Sequence, residues 1–145
     1  MLKAILMVAL MALANHAQSA DMKPMTPFDA ELQQARALIS QKNWPAAVVV
    51  LEPYVVSKPK SADGFNLLGY SYRNLRRLDE ALLAYKQALS LDPDHRGAHE
   101  YIGIAYIQLG QMDKARQHLG ALDKLCLFSC EEYRDLKKAI ETAAK

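Results

Sequence analysis

Two cysteines near the carboxyl end have the type and spacing for sulfur chemistry. Cys126 and Cys130 are four residues apart, and Ser129 with Glu132 has the spacing of a capping box that opens a helix. Ser129 is therefore predicted to begin a helix, which leaves a turn between the thiols where a structural disulfide could form. The alternative is a thiol-redox or copper-handling pair, because a helix N-terminus favours thiolate and two thiolates can hold Cu(I).

Three histidines are the other candidates for metal or acid–base chemistry. His95 and His99 are four residues apart, and His118 lies in a later segment. We expect packing or capping roles for them, with no metal site and no cofactor. The sequence contains no nucleophile elbow, no glycine-rich phosphate loop and no paired-histidine zinc motif. The chain is therefore predicted not to be an enzyme.

Composition excludes some classes of partner. The 145 residues include 18 Lys and Arg against 16 Asp and Glu, a formal charge of +2. Nucleic-acid binding requires clustered cations, so it is not expected. Hydrophobic residues make up 51% of the chain, which is typical of a globular domain.

The first twenty residues have the pattern of a secretory signal peptide. Lys3 precedes an apolar run over 4–13, and small residues follow, with cleavage expected between 14 and 20. The run is about half the roughly 20 residues of a membrane-spanning helix, so no stable membrane insertion is expected. Residues 21–27 should form a flexible N-terminus. We expect a secreted protein, from a bacterial periplasm, whose oxidising surroundings favour the disulfide.

A pattern of large and small residues recurs along the rest of the chain. In 62–95 it comprises Phe65, Leu68, Gly69, Tyr72, Ala81, Tyr85, Ala88 and Pro93. In 96–127 it comprises His99, Ile102, Gly103, Tyr106, Ala115, Leu119 and Leu122. A weaker copy in 28–61 comprises Ala35, Leu38, Ala47, Leu51, Tyr54 and Pro59. The pattern and its period of about 34 residues resemble the tetratricopeptide repeat (TPR).

This resemblance implies an all-α fold, a right-handed α-solenoid of three TPR helix pairs with a C-terminal capping helix. The pairs are 28–61, 62–95 and 96–127, and the capping helix lies in 128–145. The seven helices are expected over 28–42, 45–57, 62–75, 79–91, 96–109, 113–126 and 130–143. Small residues such as Gly69 should allow helices to approach closely. Asp79 and Asp113 are predicted N-caps, and Trp44 should pack in the turn of the first pair.

In TPR proteins the first helix of each pair lines the concave face, which is the usual binding surface. The family's groove positions fall here on Arg36, Asp63, Asn66, Tyr70, Arg73, Asn74, Glu100, Tyr101, Ile104 and Gln108. Amides can pair with an extended peptide backbone, and tyrosines supply rigid contact area. Some TPR domains hold a C-terminal carboxylate with a two-Lys, two-Asn clamp, but the clamp lysines are missing from this set.

The sequence therefore favours a periplasmic adaptor or scaffold that binds a protein or peptide partner in its concave groove. The alternative is a thiol-redox or copper-handling factor that acts through Cys126 and Cys130. Weak self-association is a further expectation, because no N-terminal helix covers the first pair once the signal peptide has been removed.

Overall fold

The computed structural model describes residues 27–144, with side chains from residue 30 onward. The predicted signal peptide, its cleavage site and all but the last residue of the segment 21–27 lie outside this range. The described chain forms seven α-helices: α1 (Pro27–Ser40), α2 (Trp44–Ser57), α3 (Ala62–Asn74), α4 (Leu78–Leu91), α5 (Arg96–Gln108), α6 (Met112–Leu125) and α7 (Glu131–Ala143). Within this range no helix is both long and apolar enough to cross a membrane.

The helices pack in consecutive pairs, α1 with α2, α3 with α4, and α5 with α6. Neighbouring pairs join through α2 with α3 and through α4 with α5, and α7 covers the last pair by packing on α5 and α6. The prediction of an all-α TPR solenoid with a capping helix is confirmed. A solenoid exposes a core face at its end, and here α7 buries that face.

The repeated small residues make room for large side chains from neighbouring helices. A β-carbon on Gly69 would lie 2.7 Å from the ring of Tyr85, which is itself fully buried. A β-carbon on Gly103 would lie 2.6 Å from the side chain of Leu136 in the capping helix. The expected close approach is therefore confirmed at both glycines, and at Gly103 the partner is α7.

Two predicted N-caps are wrong. Helix α4 has Arg77 at its N-cap and α6 has Gln111, neither with a side-chain cap hydrogen bond, and Asp79 and Asp113 lie in the first turns. The cause is the preceding turn, in which the backbone N–H of Arg77 already bonds the Tyr72 carbonyl oxygen. Because this hydrogen bond ends the turn, the next helix begins before the predicted aspartate. The aspartate carboxylates then lie in the first turn, near the positive end of the helix dipole.

The two cysteines form a disulfide between α6 and α7. Cys126 is the C-cap of α6 and Cys130 the N-cap of α7, with their Cα atoms 5.5 Å apart. The predicted disulfide is present, but the predicted capping box is wrong. Ser129 has a φ of 33° and stays in the turn, and Glu131 is the first residue of α7. The bridge fixes Cys130 at the helix boundary, so Ser129 cannot occupy it.

Candidate partner-binding groove

The first helices of the three pairs lie side by side, because α3 packs against both α1 and α5. This places the predicted groove residues along one surface. Three arrangements occur along it: a chain of polar contacts, a row of aromatic rings, and a group of carboxyl groups. Each is built from side chains of different helices, so each depends on how the pairs stack.

The chain of polar contacts crosses all three pairs. Arg36 Nη2 of α1 lies 2.9 Å from Asp63 Oδ2 of α3, and His95 Nε2 lies 3.0 Å from Asp63 Oδ1. His95 is also the N-cap of α5, where its Nδ1 accepts a hydrogen bond from the Ala98 N–H. Nε2 therefore carries the hydrogen and donates it to Asp63. We call Arg36, Asp63 and His95 the ion-pair chain. Each carboxylate oxygen of Asp63 in its centre already has one of the other two side chains as a partner.

An aromatic row runs beside the ion-pair chain. Trp44 meets Tyr70 edge-on with ring centroids 5.7 Å apart, and Tyr70 lies 4.8 Å from Tyr101. The Arg73 guanidinium carbon is 5.1 Å from the Tyr70 centroid and 5.9 Å from the Tyr101 centroid, a cation–π arrangement. Trp44 is the first residue of α2, directly after the turn of the first pair, and its ring also contacts Tyr70 of α3.

Asn66 Oδ1 is buried beneath this surface and lacks a hydrogen-bond partner among the described residues. Arg73 Nε and the Tyr85 hydroxyl are also buried, and the Arg73 and Tyr85 side chains interact with each other. Burial raises the pKa of Tyr85 far above its usual range, although the nearby Arg73 charge opposes the shift. Buried polar groups are nearly always paired, so Asn66 Oδ1 is an exception in this core.

Carboxyl groups gather where α5 meets α7. Glu100 of α5 lines a small depression together with Glu131, Glu132 and Asp135 of α7. The same depression is lined by Gly97 and Tyr101, and we call it the acidic cleft. Sequence reasoning missed the three α7 residues, because the amphipathic pattern of the capping helix places them on its polar face.

The environment of Glu100 disfavours its charged form. Burial, together with the neighbouring charges of Asp135 and Glu132, raises the pKa of this carboxyl to about 7, whereas Arg73 opposes the shift. Burial and a nearby Glu100 likewise raise the pKa of Tyr101 to about 12. Glu100 can therefore change charge near neutral pH, which an exposed glutamate cannot do.

The remaining predicted groove residues make no shared arrangement. Asn74 donates to the carbonyl oxygen of Tyr70 in its own helix at 2.8 Å. Ile104 is half-buried against the core, and Gln108 is exposed at the last residue of α5. A larger apolar depression of about 540 Å³ lies between α3 and α4 and includes none of the predicted groove residues.

The disulfide is next to the acidic cleft in the sequence. Cys130 immediately precedes Glu131 and Glu132, so the bridge to Cys126 fixes where these carboxylates begin. Among residues 30–144 no cluster of three or more His, Cys, Asp or Glu side chains could hold a metal ion. The contact between His99 Nδ1 and His118 Nδ1, at 2.9 Å, is a hydrogen bond within the last repeat.

Family models of the tetratricopeptide repeat match residues 62–95 and 98–125. The chain therefore contains tetratricopeptide repeats over these residues. Comparison with curated protein sequences gave no match.

Solved structures of TPR proteins superpose on most of the chain. A mutant of MamA is 25% identical with a TM-score of 0.64, covering 70% of this chain and 74% of its own. The type III secretion translocator chaperone SycD from Yersinia enterocolitica, solved as an alternative dimer, is 16% identical with a TM-score of 0.69, covering 80% and 87%. The first TPR domain of Spaghetti (RPAP3), bound to an HSP90 peptide, is 15% identical with a TM-score of 0.72, covering 83% and 96%.

Proposed function

We propose that this protein is a periplasmic adaptor that binds a segment of a partner protein in the groove formed by α1, α3 and α5. The observation that carries the proposal is the aromatic row of Trp44, Tyr70 and Tyr101 with the Arg73 guanidinium against two of its rings. Rings offer contact area at low entropic cost, and a guanidinium offers several N–H donors that the carbonyl oxygens of a peptide backbone can accept. The peptide complex of the RPAP3 domain supports the proposal by analogy of fold.

The test is site-specific photocrosslinking in cells that export the protein. A benzophenone amino acid replaces Gln108, at the exposed end of α5, and in a matched control replaces Lys86, which is exposed on α4. We expect a discrete crosslinked partner from position 108 and none from position 86. The double variant Tyr70→Ala, Arg73→Ala should abolish the crosslink, while circular dichroism shows that the helices persist.

A crosslink that survives the double variant would show that the partner does not use the groove.

Native mass spectrometry of the exported protein, purified without reductant or chelator, tests location and sulfur chemistry together. We expect a mature chain that begins between residues 15 and 21, free of metal, with a mass two hydrogens below the dithiol form. Free thiols that carry copper would favour the alternative function at Cys126 and Cys130.

A further inference from the structure

Two half-buried histidines join the helices of the last pair. His99 Nδ1 of α5 lies 2.9 Å from His118 Nδ1 of α6, and His99 Nε2 lies 2.8 Å from the carbonyl oxygen of Pro93. The ring of His118 stacks on that of Tyr106 in α5, with centroids 5.7 Å apart. The two imidazole rings therefore connect α6, α5 and the turn that precedes α5.

These distances determine which ring nitrogens carry a hydrogen. A carbonyl oxygen only accepts, so His99 Nε2 carries a hydrogen and donates it to Pro93. In a neutral imidazole the other nitrogen is an acceptor, so His99 Nδ1 accepts a hydrogen bond from His118 Nδ1. The neutral pair therefore has one arrangement, in which His118 carries its hydrogen on Nδ1 and none on Nε2.

The pair can hold one extra proton but not two. With one proton added, one of the two Nδ1 atoms still lacks a hydrogen and accepts from the other, so the hydrogen bond persists. With two protons added, both Nδ1 atoms carry a hydrogen, and two donors on two positively charged rings would face each other at 2.9 Å. The second proton therefore has to break the hydrogen bond and separate the rings.

Burial and charge make the second proton difficult to add. The pKa of His118 is lowered to about 4, first by burial and then by the charge of His99. Because this pKa lies below the usual 6.5, the unfolded state binds the proton more tightly than the folded state does. The stabilising contribution is therefore complete above pH 6.5 and is lost as the pH falls towards 4.

The charged groups around the pair come from several elements. On α6, Lys114 lies against the ring of Tyr106, on which the His118 ring stacks. The exposed Asp92 and Asp94 lie in the turn between α4 and α5. The helices α3, α4 and α7 pack on α5, but none of their charged side chains forms a hydrogen bond or ion pair with either ring in the described chain. Acid therefore acts on the pair through the two imidazole rings themselves.

We propose that the His99–His118 pair is an acid-sensitive latch, which holds α5 on α6 at neutral pH and opens when both rings are protonated. Its opening loosens the last repeat, because the two rings connect α6, α5 and the turn before α5. Glu100 and Tyr101 follow His99 directly on α5, so acid weakens this end of the groove. Histidine suits such a switch, because its charge changes closest to neutral pH. The inference goes beyond the proposed function and is tested on the protein alone.

The first test reads the ring nitrogens by nuclear magnetic resonance of the mature, disulfide-bonded protein. Long-range proton–nitrogen spectra identify which nitrogen of each neutral ring carries the hydrogen. At pH 8 we expect the hydrogen of His118 on Nδ1 and that of His99 on Nε2. The His118 ring should become fully protonated only near pH 4, and the amide signals of α5 and α6 should change in the same step. A hydrogen on His118 Nε2 at pH 8, or full protonation of this ring near pH 6.5, would overturn the inference.

The second test measures amide hydrogen exchange, corrected for the effect of pH on the chemical exchange rate. Between pH 7 and pH 4 the protection of α5 and α6 should fall about tenfold in the parent protein. His118→Asn places an N–H donor that does not titrate close to the position of Nδ1, so most of this fall should disappear. The control His95→Asn makes the same exchange at the N-cap of α5, where asparagine is also a good cap, and should retain the fall.

Equal falls in the parent and in His118→Asn would overturn the inference, since acid would then loosen the helices without the latch. Glu100 cannot produce the fall, because its raised pKa makes the folded state bind a proton more tightly and so favours folding in acid. If His118→Asn does not fold, the position of the ring hydrogens and the titration of His118 in the parent still decide.

Discussion

The groove has two charged regions that differ in how their charges are used. In the ion-pair chain, Asp63 lies between Arg36 and His95, and all three pairs of helices contribute to its contacts. In the acidic cleft, Glu100 and Asp135 make no such pairs with described residues. Both regions contain acidic side chains, so residue type alone does not separate them.

The comparison teaches that the same charge can join repeats or remain available to a ligand. A carboxylate that already has two internal partners gains little from a third. One that is half-buried and crowded by like charges gains much from a cation. The cleft is also the region that depends on the capping helix, whereas the ion-pair chain depends on stacked repeats alone. The following predictions separate the two regions, beginning with the largest expected effect.

Leu136→Ala should lower the free energy of unfolding by about 3 kcal/mol, because Leu136 is fully buried against Gly103 and its loss leaves a cavity. Urea unfolding followed by circular dichroism measures this. The ion-pair chain of Arg36, Asp63 and His95 should remain, because none of its contacts involves α7. Leu83→Ala, at a side chain that is 68% exposed, is the control and should cost far less. Equal losses in the two variants would contradict a packed capping helix.

Replacing both Cys126 and Cys130 with serine should cost up to about 2 kcal/mol, because the bridge closes a very short loop of the unfolded chain. Urea unfolding of the oxidised parent and the double variant gives the difference. The amide signals of Glu131 and Glu132 should shift, since the start of α7 is no longer tied to α6. Unchanged signals there would show that α7 holds its position without the bridge.

Glu100→Gln should raise the stability at pH 8 by about 1–2 kcal/mol, a value already reduced for solvent screening. The pKa of Glu100 is raised to about 7 from 4.5, so the folded state holds the proton more tightly than the unfolded state does. The parent therefore loses stability as the pH rises through this window, and the variant does not. Unfolding curves at pH 4 should coincide, and a gain that persists there would refute the assignment.

Asp63→Asn should have the smallest effect, less than about 1 kcal/mol, because Asp63 and Arg36 are each about half-exposed. Thermal unfolding in low and high salt measures it. The loss should shrink in high salt, which screens an exposed pair. A loss as large as that of Leu136→Ala would mean that the ion-pair chain, and not the packed core, holds the first two repeats together.

The repeat pattern was enough to predict the helices and their pairing. The pattern is wrong at two helix starts, where it predicts Asp79 and Asp113 as N-caps. Local propensity favours aspartate as a cap, but the closing hydrogen bonds of the preceding turn set the boundary one or two residues earlier. The capping box at Ser129 failed for a related reason, since the disulfide fixes the boundary at Cys130.

The sequence by itself determined the TPR fold, because helical period and small residues are local and repetitive, and it predicted a list of groove side chains. Only the tertiary structure decided which of those side chains are paired. It placed His95 on Asp63, Trp44 on Tyr70, and the α7 carboxylates beside Glu100. These contacts join residues from different helix pairs, so they depend on the angle at which the pairs stack, and no local pattern in the sequence encodes that angle.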